Sequence, residues 1–463
     1  MDVEGSRRVV VIGLDSAPPE LVFDRWRDDL PAIGGLMASG VYAKLRSTIP
    51  PITVPAWSAM MTGLDPGTLG FYGFRNRADY SYGRMRIATS EALRHPRVWE
   101  ILSRERRPVV VLNVPQTYPP RPVNGVLVAD FLTPGTQCEY TWPPELKREL
   151  DDVTGGYEID AGQFRTDDKA RLLDDIHRIT GKHFAAARHL MASRPWHFFI
   201  TVEMGTDRIQ HGFWSHFDAG HRKHDPASPF KDAIRKYYVR VDKEIGELLA
   251  VAGPEVVTLV VSDHGAQRME GGLCINEWLI RNGYLVLKST PAAPRRLAAE
   301  DVDWPRTRAW AEGGYYSRVF LNVQDREPAG TVPQREYDAF RARLAGEISA
   351  ICDDAGKPIG SVVFRPEDVY AGCRNIPPDL IVYPGNLAWR SVGSVGMSSH
   401  VTYDNDSGPD DANHGQHGIF IAAGPGIPAF GRIDTLDIRD VAPTILKMMG
   451  VPRPADMQGK PLF

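Results

Sequence analysis

The sequence predicts an α/β protein with a doubly wound, mostly parallel sheet, helices on both faces and an inserted cap region. Three observations predict it. Continuous apolar runs rich in β-branched residues recur along the chain. Amphipathic segments with apolar residues at helical spacing lie between them. Asp and His residues stand just beyond several of the runs, where an open α/β sheet binds its ligands.

In chain order the runs are RRVVVIGLD at 7–15, RPVVVLNVP at 107–115, HFFITVEM at 197–204, VVTLVVSDHG at 256–265, DLIVYP at 379–384 and GIFIAAGPG at 418–426. Each is apolar without alternation, as expected of strands buried on both faces. Segments 170–192 and 230–253 have helical spacing, and a glycine stops the second. Strand–helix alternation of this kind builds parallel sheets through helical crossovers. Two regions break the pattern. Residues 71–92 are rich in Tyr, Arg and Gly, and residues 284–400 carry scattered prolines, aromatics and short strand-like pieces such as YYSRVFLNV. The expected organisation is a core of 1–283 and 401–463, with 284–400 as an interleaved cap that includes some core strands.

A length of 463 residues exceeds one small domain. The formal charge of −4 argues against a nucleic-acid polymer or an anionic membrane as partner. The N-terminal apolar run is too short for a signal sequence, and no stretch reaches the length of a membrane span. Cys138, Cys274, Cys352 and Cys373 lie far apart without CxxC spacing, which reads as free thiols in a reducing cytoplasm.

The strand ends hold the chemistry. Asp15 follows the first run, Asp207 and His211 follow the third, Asp263 and His264 end the fourth, and His414 precedes the last. A single strand-end Asp is ordinarily a cap or turn residue. Four such stations in one chain, combining carboxylate and imidazole, form the donor set of zinc and neighbouring divalent metals. The Asp-x3-His spacing of Asp207 and His211 puts both on one helix face. Thr53 stands before a short helical stretch, where its hydroxyl suits either an N-cap or a nucleophile.

The order of these residues carries a resemblance. Asp15, then Thr53 in TVPAWSAMMTG, then TDRIQH, VSDHG, and a His before the run ending AAGPG resemble the alkaline phosphatase superfamily. Within it the chain is similar to the type I phosphodiesterase/nucleotide pyrophosphatase group. The resemblance implies two divalent metal ions, zinc with manganese as the alternative. Asp15, Asp263 and His264 would hold one, Asp207, His211 and His414 the other, and Thr53 would touch both. It also implies hydrolysis of phosphodiester or phosphoanhydride bonds in a small phosphate ester or nucleotide-like substrate, through a phospho- or nucleotidyl-threonine. Phosphomutase, phosphoryl transfer, carbon–phosphorus hydrolysis and a non-catalytic relative are the alternatives on the same scaffold.

The chain departs from that pattern in places. Many members carry an Asn shortly after the nucleophile, where this chain has Ala56 and Trp57, and a downstream His is replaced by Leu69. Asn76 and Asn113 are the candidates to supply the missing oxyanion contact, with turn roles as the alternative. Arg318 is a further candidate for substrate. The last metal-ligand position has three claimants, His400, His414 and His417, of which spacing to the strand favours His414. His216, His221 and His224 read as a lid, a substrate loop or a solvated loop.

Overall fold

The computed structural model describes residues 7–463. Its centre is a ten-stranded sheet. The main strands are β1 (Arg8–Leu14), β2 (Val41–Arg46), β3 (Val109–Leu112), β4 (Gly125–Val128), β5 (Phe198–Glu203), β6 (Val256–Val261) and β7 (His417–Ala423). They run across the sheet in the order β2-β7-β6-β1-β5-β3-β4, with short strands at each edge. β6, β1, β5, β3 and β4 pair in parallel. β7 runs antiparallel to both β6 and β2. The sheet is therefore mixed and mostly parallel. All six residues of β5 and of β6 are buried, so both faces are covered and alternation is absent from the sequence.

Four helices position the site: α1 (Thr53–Thr62), α2 (Lys169–Ser193), α3 (Gly205–Phe217) and α4 (Ala233–Ala252). α2, α3 and α4 pack on one another, while α1 packs on the helix Val441–Met448 near the C-terminus. Both expected helical segments form, as α2 and α4. The adjacency of β6, β1 and β5 brings three carboxyl ends side by side, with Asp15, Asp263 and the start of α3 at one rim.

The run at 379–384 lies elsewhere than expected. Its strand, Leu380–Tyr383, joins a separate four-stranded antiparallel sheet with Ala309–Glu312, Ser317–Leu321 and Val362–Phe364. A continuous apolar run marks burial on both faces, and the smaller sheet buries this strand as fully as the large one would. Its apolar cluster is distinct from that of the central sheet and extends from Leu273 to Val401. Residues 71–92 form a small hairpin, Arg75–Arg77 against Met85–Ile87. The buried Arg77–Glu327 ion pair, 3.1 Å, ties it to this second unit. The cysteines are unpaired, and among the described residues no helix is long and apolar enough to cross a membrane.

Candidate active site

Two clusters of metal-ligating side chains lie at the carboxyl rim of β6, β1 and β5. Asp15, Asp263 and His264 form one, and Asp207, His211 and His414 the other; within each, the ligand atoms lie within 4.8 Å of one another. The six Asp and His residues that the sequence offered as ligands are brought together in these two groups, and all are buried. Local structure explains how each arrives. Asp15 continues β1, and Asp263–His264 continue β6. Asp207 and His211 are one turn apart on α3, their side chains 3.1 Å from each other. The short strand Gly265–Arg268 pairs with Ala412–Gly415 in a register that opposes Ala266 to His414. His414 and His264 stack as a result, with ring centroids 3.8 Å apart. His417 lies in β7 itself, and His400 bonds to the carbonyl of Cys352. The claim of His414 is thus met by strand pairing.

The unsatisfied atoms define what the clusters lack. Asp15 Oδ1, Asp207 Oδ1 and Asp263 Oδ2 are buried without a hydrogen-bond donor. The opposite oxygens are held: Trp57 Nε1 donates to Asp15 Oδ2 at 2.8 Å, Arg208 to Asp207 Oδ2 at 2.7 Å, and the Ser16 amide to Asp263 Oδ1 at 3.2 Å. All three imidazoles donate from Nδ1. His264 donates to Gly265 O at 3.0 Å, His414 to Pro51 O at 2.7 Å, and His211 to Asp410 Oδ1 at 2.7 Å. Each Nε2 faces the cluster, with its lone pair free in the neutral imidazoles His264 and His414. Bare buried oxygens with oriented imidazoles fit divalent cations, since an ion satisfies what no protein donor reaches.

The electrostatics agree. Burial, with Asp207 nearby, pushes the Asp15 carboxyl well above its usual range. Burial and Asp15 do the same to Asp263. Burial lowers His264 to about 4 and, helped by His264 and His211, takes His414 well below its usual value. Burial would lower His211 too, but Asp410, Tyr315 and Asp207 outweigh it. Two carboxylates that resist ionisation and two neutral imidazoles are a site short of positive charge. Thr53 is the first residue of α1, 4% exposed, with Oγ1 3.4 Å from His264 Nε2. Ile52 occupies the N-cap, and no side chain caps the helix.

Residues 9–419 match the family model of type I phosphodiesterase/nucleotide pyrophosphatase. The chain belongs to this family. It is a phosphohydrolase of the nucleotide pyrophosphatase/phosphodiesterase type. Its fold resembles human ectonucleotide pyrophosphatase/phosphodiesterase 5, with 14% identity, a TM-score of 0.58, and 98% of this chain and 97% of that chain covered. The murine form of that protein, inactive and in complex with AMP, is similar at 13% identity and a TM-score of 0.56, with 97% and 96% covered. These likenesses fix the fold as alkaline phosphatase-like. No curated protein sequence matches the chain.

In this phosphodiesterase-family chain, a cavity of about 980 Å³ opens over Thr53 and the Asp207–His414 cluster. Thr53, Asp207 and His414 line its floor, and Tyr315, Arg318 and Arg390 from the second unit line its walls. Arg318, a candidate substrate contact in the sequence, lines this cavity. Asn76 and Asn113 do not line this cavity. Asn76 accepts from the Tyr72 amide at 2.8 Å and donates to Gly73 O at 3.0 Å, closing its own loop. Asn113 sits at φ 57° and accepts from the Tyr157 hydroxyl at 2.7 Å. Asn76 is corrected to a structural role, since nearby backbone takes up its side-chain amide. Asn113 spends its oxygen on Tyr157 and stands away from the cavity lining, with Nδ2 buried and without a partner among the described residues. His216 pairs with Ser228, His224 bonds to Ser215 O, and His221 accepts from the Lys223 amide, so local bonds hold that loop. None of the three lines the cavity.

Two residues that matter to the site were missed in the sequence. Trp57, read only as a departure, orients Asp15. Asp410 is fully buried and binds His211, Tyr315 at 3.1 Å, Arg165 at 2.9 Å and Arg390 at 3.3 Å. Its place four residues before His414 was the only signal. Tyr315 stacks on both His211 and His414, at 4.9 and 4.2 Å between centroids.

Proposed function

We propose that the chain cleaves phosphodiester or phosphoanhydride bonds of a small, nucleotide-like substrate at a two-metal centre, through a covalent intermediate on Thr53. The observation that carries this reading is the convergence of three bare carboxylate oxygens and three imidazole Nε2 atoms beside a buried threonine hydroxyl. Asp15, Asp263 and His264 would hold one ion; Asp207, His211 and His414 would hold the other. Zinc suits this oxygen–nitrogen donor set, with manganese second. Bound there, the ions supply Lewis acidity and charge neutralisation at the reacting phosphoryl group.

Thr53 Oγ1 attacks phosphorus, and the bond from phosphorus to the leaving-group oxygen breaks. The hydroxyl proton ends on that oxygen. Water then attacks the phosphothreonine, restoring the Thr53 hydroxyl and releasing the phosphorylated product. The first turn of α1 aids both steps. The Thr53 and Val54 amides have no intrahelical acceptor, Pro55 has no amide proton, and the helix dipole favours anionic oxygens there. Asp410 and Trp57 keep His211 and Asp15 oriented. Residues 284–400 would serve as the cap that shapes the leaving-group pocket. The relative in complex with AMP supports a nucleotide-like substrate.

The test is turnover of bis-p-nitrophenyl phosphate and p-nitrophenyl phosphate by protein loaded with zinc or manganese, followed by acid quench. Preference for the diester and a labelled peptide containing Thr53 are expected. Transfer to an acceptor without net hydrolysis would replace this reading with a phosphomutase. Full activity after complete metal removal would end it.

A further inference from the structure

The cavity wall carries a buried cation with no ion pair among the described residues. Seven arginines line the cavity. Five have carboxylate partners. Arg165 and Arg390 share Asp410, and Arg208 is held by Asp160 and Asp207 at 2.6 and 2.7 Å. Arg295 pairs with Asp301, and Arg296 with Glu312 at 3.7 Å. Arg75 and Arg318 form no ion pair among the described residues. Arg75 is exposed, so water solvates its charge. Arg318 is only 8% exposed. Among the described residues its guanidinium makes one hydrogen bond, from Nη1 to the carbonyl oxygen of Arg75. A guanidinium has five N–H donors in a planar fork. Burying one without a counter-ion is costly, and the cost is recovered when an oxyanion fills the fork.

The position of Arg318 ties it to the reaction site. It follows Tyr316, whose ring packs with Ile52 in one apolar cluster, and Ile52 precedes Thr53. Gly73 lines the same wall, and a Cβ there would lie 3.7 Å from Arg318 Nη1 and 3.4 Å from the Tyr316 hydroxyl. The whole chain carries a formal charge of −4, so any preference for anions here is local.

We infer that Arg318 seats a second oxyanion of the substrate, one carried on the portion remote from the phosphoryl group that reacts at Thr53. The inference rests on the hydrolase reading above. The substrate class it names is a phosphoester or phosphoanhydride whose other half bears its own phosphate or carboxylate.

The experiment is calorimetric binding of methylphosphonate, 2-carboxyethylphosphonate and methylenediphosphonate to zinc-loaded wild type, Arg318→Gln and Arg318→Lys. Unchanged zinc content shows that each variant is folded. Wild type should bind the two-anion compounds more tightly than methylphosphonate. Arg318→Gln should weaken the two-anion compounds by about tenfold or more, with a much smaller effect on methylphosphonate. Arg318→Lys should recover part of the loss. Equal weakening of all three compounds would put Arg318 on the reacting group and overturn the inference. So would an unchanged preference in Arg318→Gln, or the absence of any preference in wild type, a result that needs no variant. Bis-p-nitrophenyl phosphate turnover by wild type is scored separately. Turnover without an Arg318-dependent preference breaks only the second seat. Arg318-dependent binding without turnover of any phosphoester breaks the hydrolase reading.

Discussion

Thr53 is the residue whose replacement separates structure from chemistry. Because Ile52 is the N-cap and the Thr53 hydroxyl caps nothing, Thr53→Ala leaves helix α1 intact. The melting temperature and metal content should stay near wild type, while turnover falls by about a thousandfold or more. Thr53→Ser should keep much of the activity. Near-normal turnover in Thr53→Ala would remove the covalent step. Asp410 acts at one remove. It fixes the His211 ring with Nδ1 donating and Nε2 turned toward Asp207, and it is itself held by Arg165, Arg390 and Tyr315. Asp410→Asn should weaken metal binding by about 10- to 100-fold. It should also lower the unfolding midpoint of metal-free protein, because Arg165 and Arg390 lose their buried counter-ion. Unchanged metal affinity would show that the Ala412 carbonyl and packing against Tyr315 suffice to position the imidazole.

At the scale of the element, the site depends on how closely α1 can approach β1. Gly13 lies in β1 opposite Val202 of β5. A Cβ at Gly13 would fall 2.4 Å from Trp57 Cη2 and 2.8 Å from Val202 Cγ2. The absent side chain is what allows the indole to lie on the strand and reach Asp15. Gly13→Ala should therefore cost about 1–3 kcal/mol as overpacking. It should also loosen the metal bound at Asp15, read by competition with a chromogenic chelator. Destabilisation without any change in metal affinity would break the link between Trp57 and Asp15. Helix α3 works by a simpler rule. Its periodicity alone sets Asp207 and His211 on one face.

For the whole molecule, three buried carboxylates with bare oxygens meet in one place, so stability and metal loading are linked. Chelator-treated protein should melt at a lower temperature than protein with zinc restored. Each site saturated to about 100 times its dissociation constant adds about 2.7 kcal/mol. Identical melting curves would mean the clusters do not bind metal in the folded protein. A second whole-molecule property is acid–base. Burial raises Asp130 to about 7, against hydrogen bonds from the Gln116 and Leu132 amides that oppose the rise. Below the unfolded value of 3.8, both states hold the proton. Between there and about 7 the unfolded chain has released it and the folded chain retains it, so the unfolded state binds fewer protons and stability falls as pH rises. The fall is at most about 4 kcal/mol and levels off above that window. In urea titrations from pH 4 to 8, Asp130→Asn should flatten this slope relative to wild type. Parallel curves for the two proteins would place the proton elsewhere.

The sequence by itself determined the sheet strands that carry ligands, helices α2 and α4, and the membership of both clusters. It could do so because each ligand stands next to a strong periodic signal and because their order is shared across a family. It placed the strand at 379–384 in the wrong sheet, since an apolar run reports burial and not its partner. Only the tertiary structure decided the rest. Trp57 meets Asp15 because Gly13 gives it room. Asp410 reaches His211 across 199 positions of chain. Arg318 is left without a counter-ion by the packing of one loop on a second sheet. Short-range pattern fixes which atoms a segment offers; which long-range neighbours satisfy them, and which are left for a ligand, depends on contacts that no local spacing encodes.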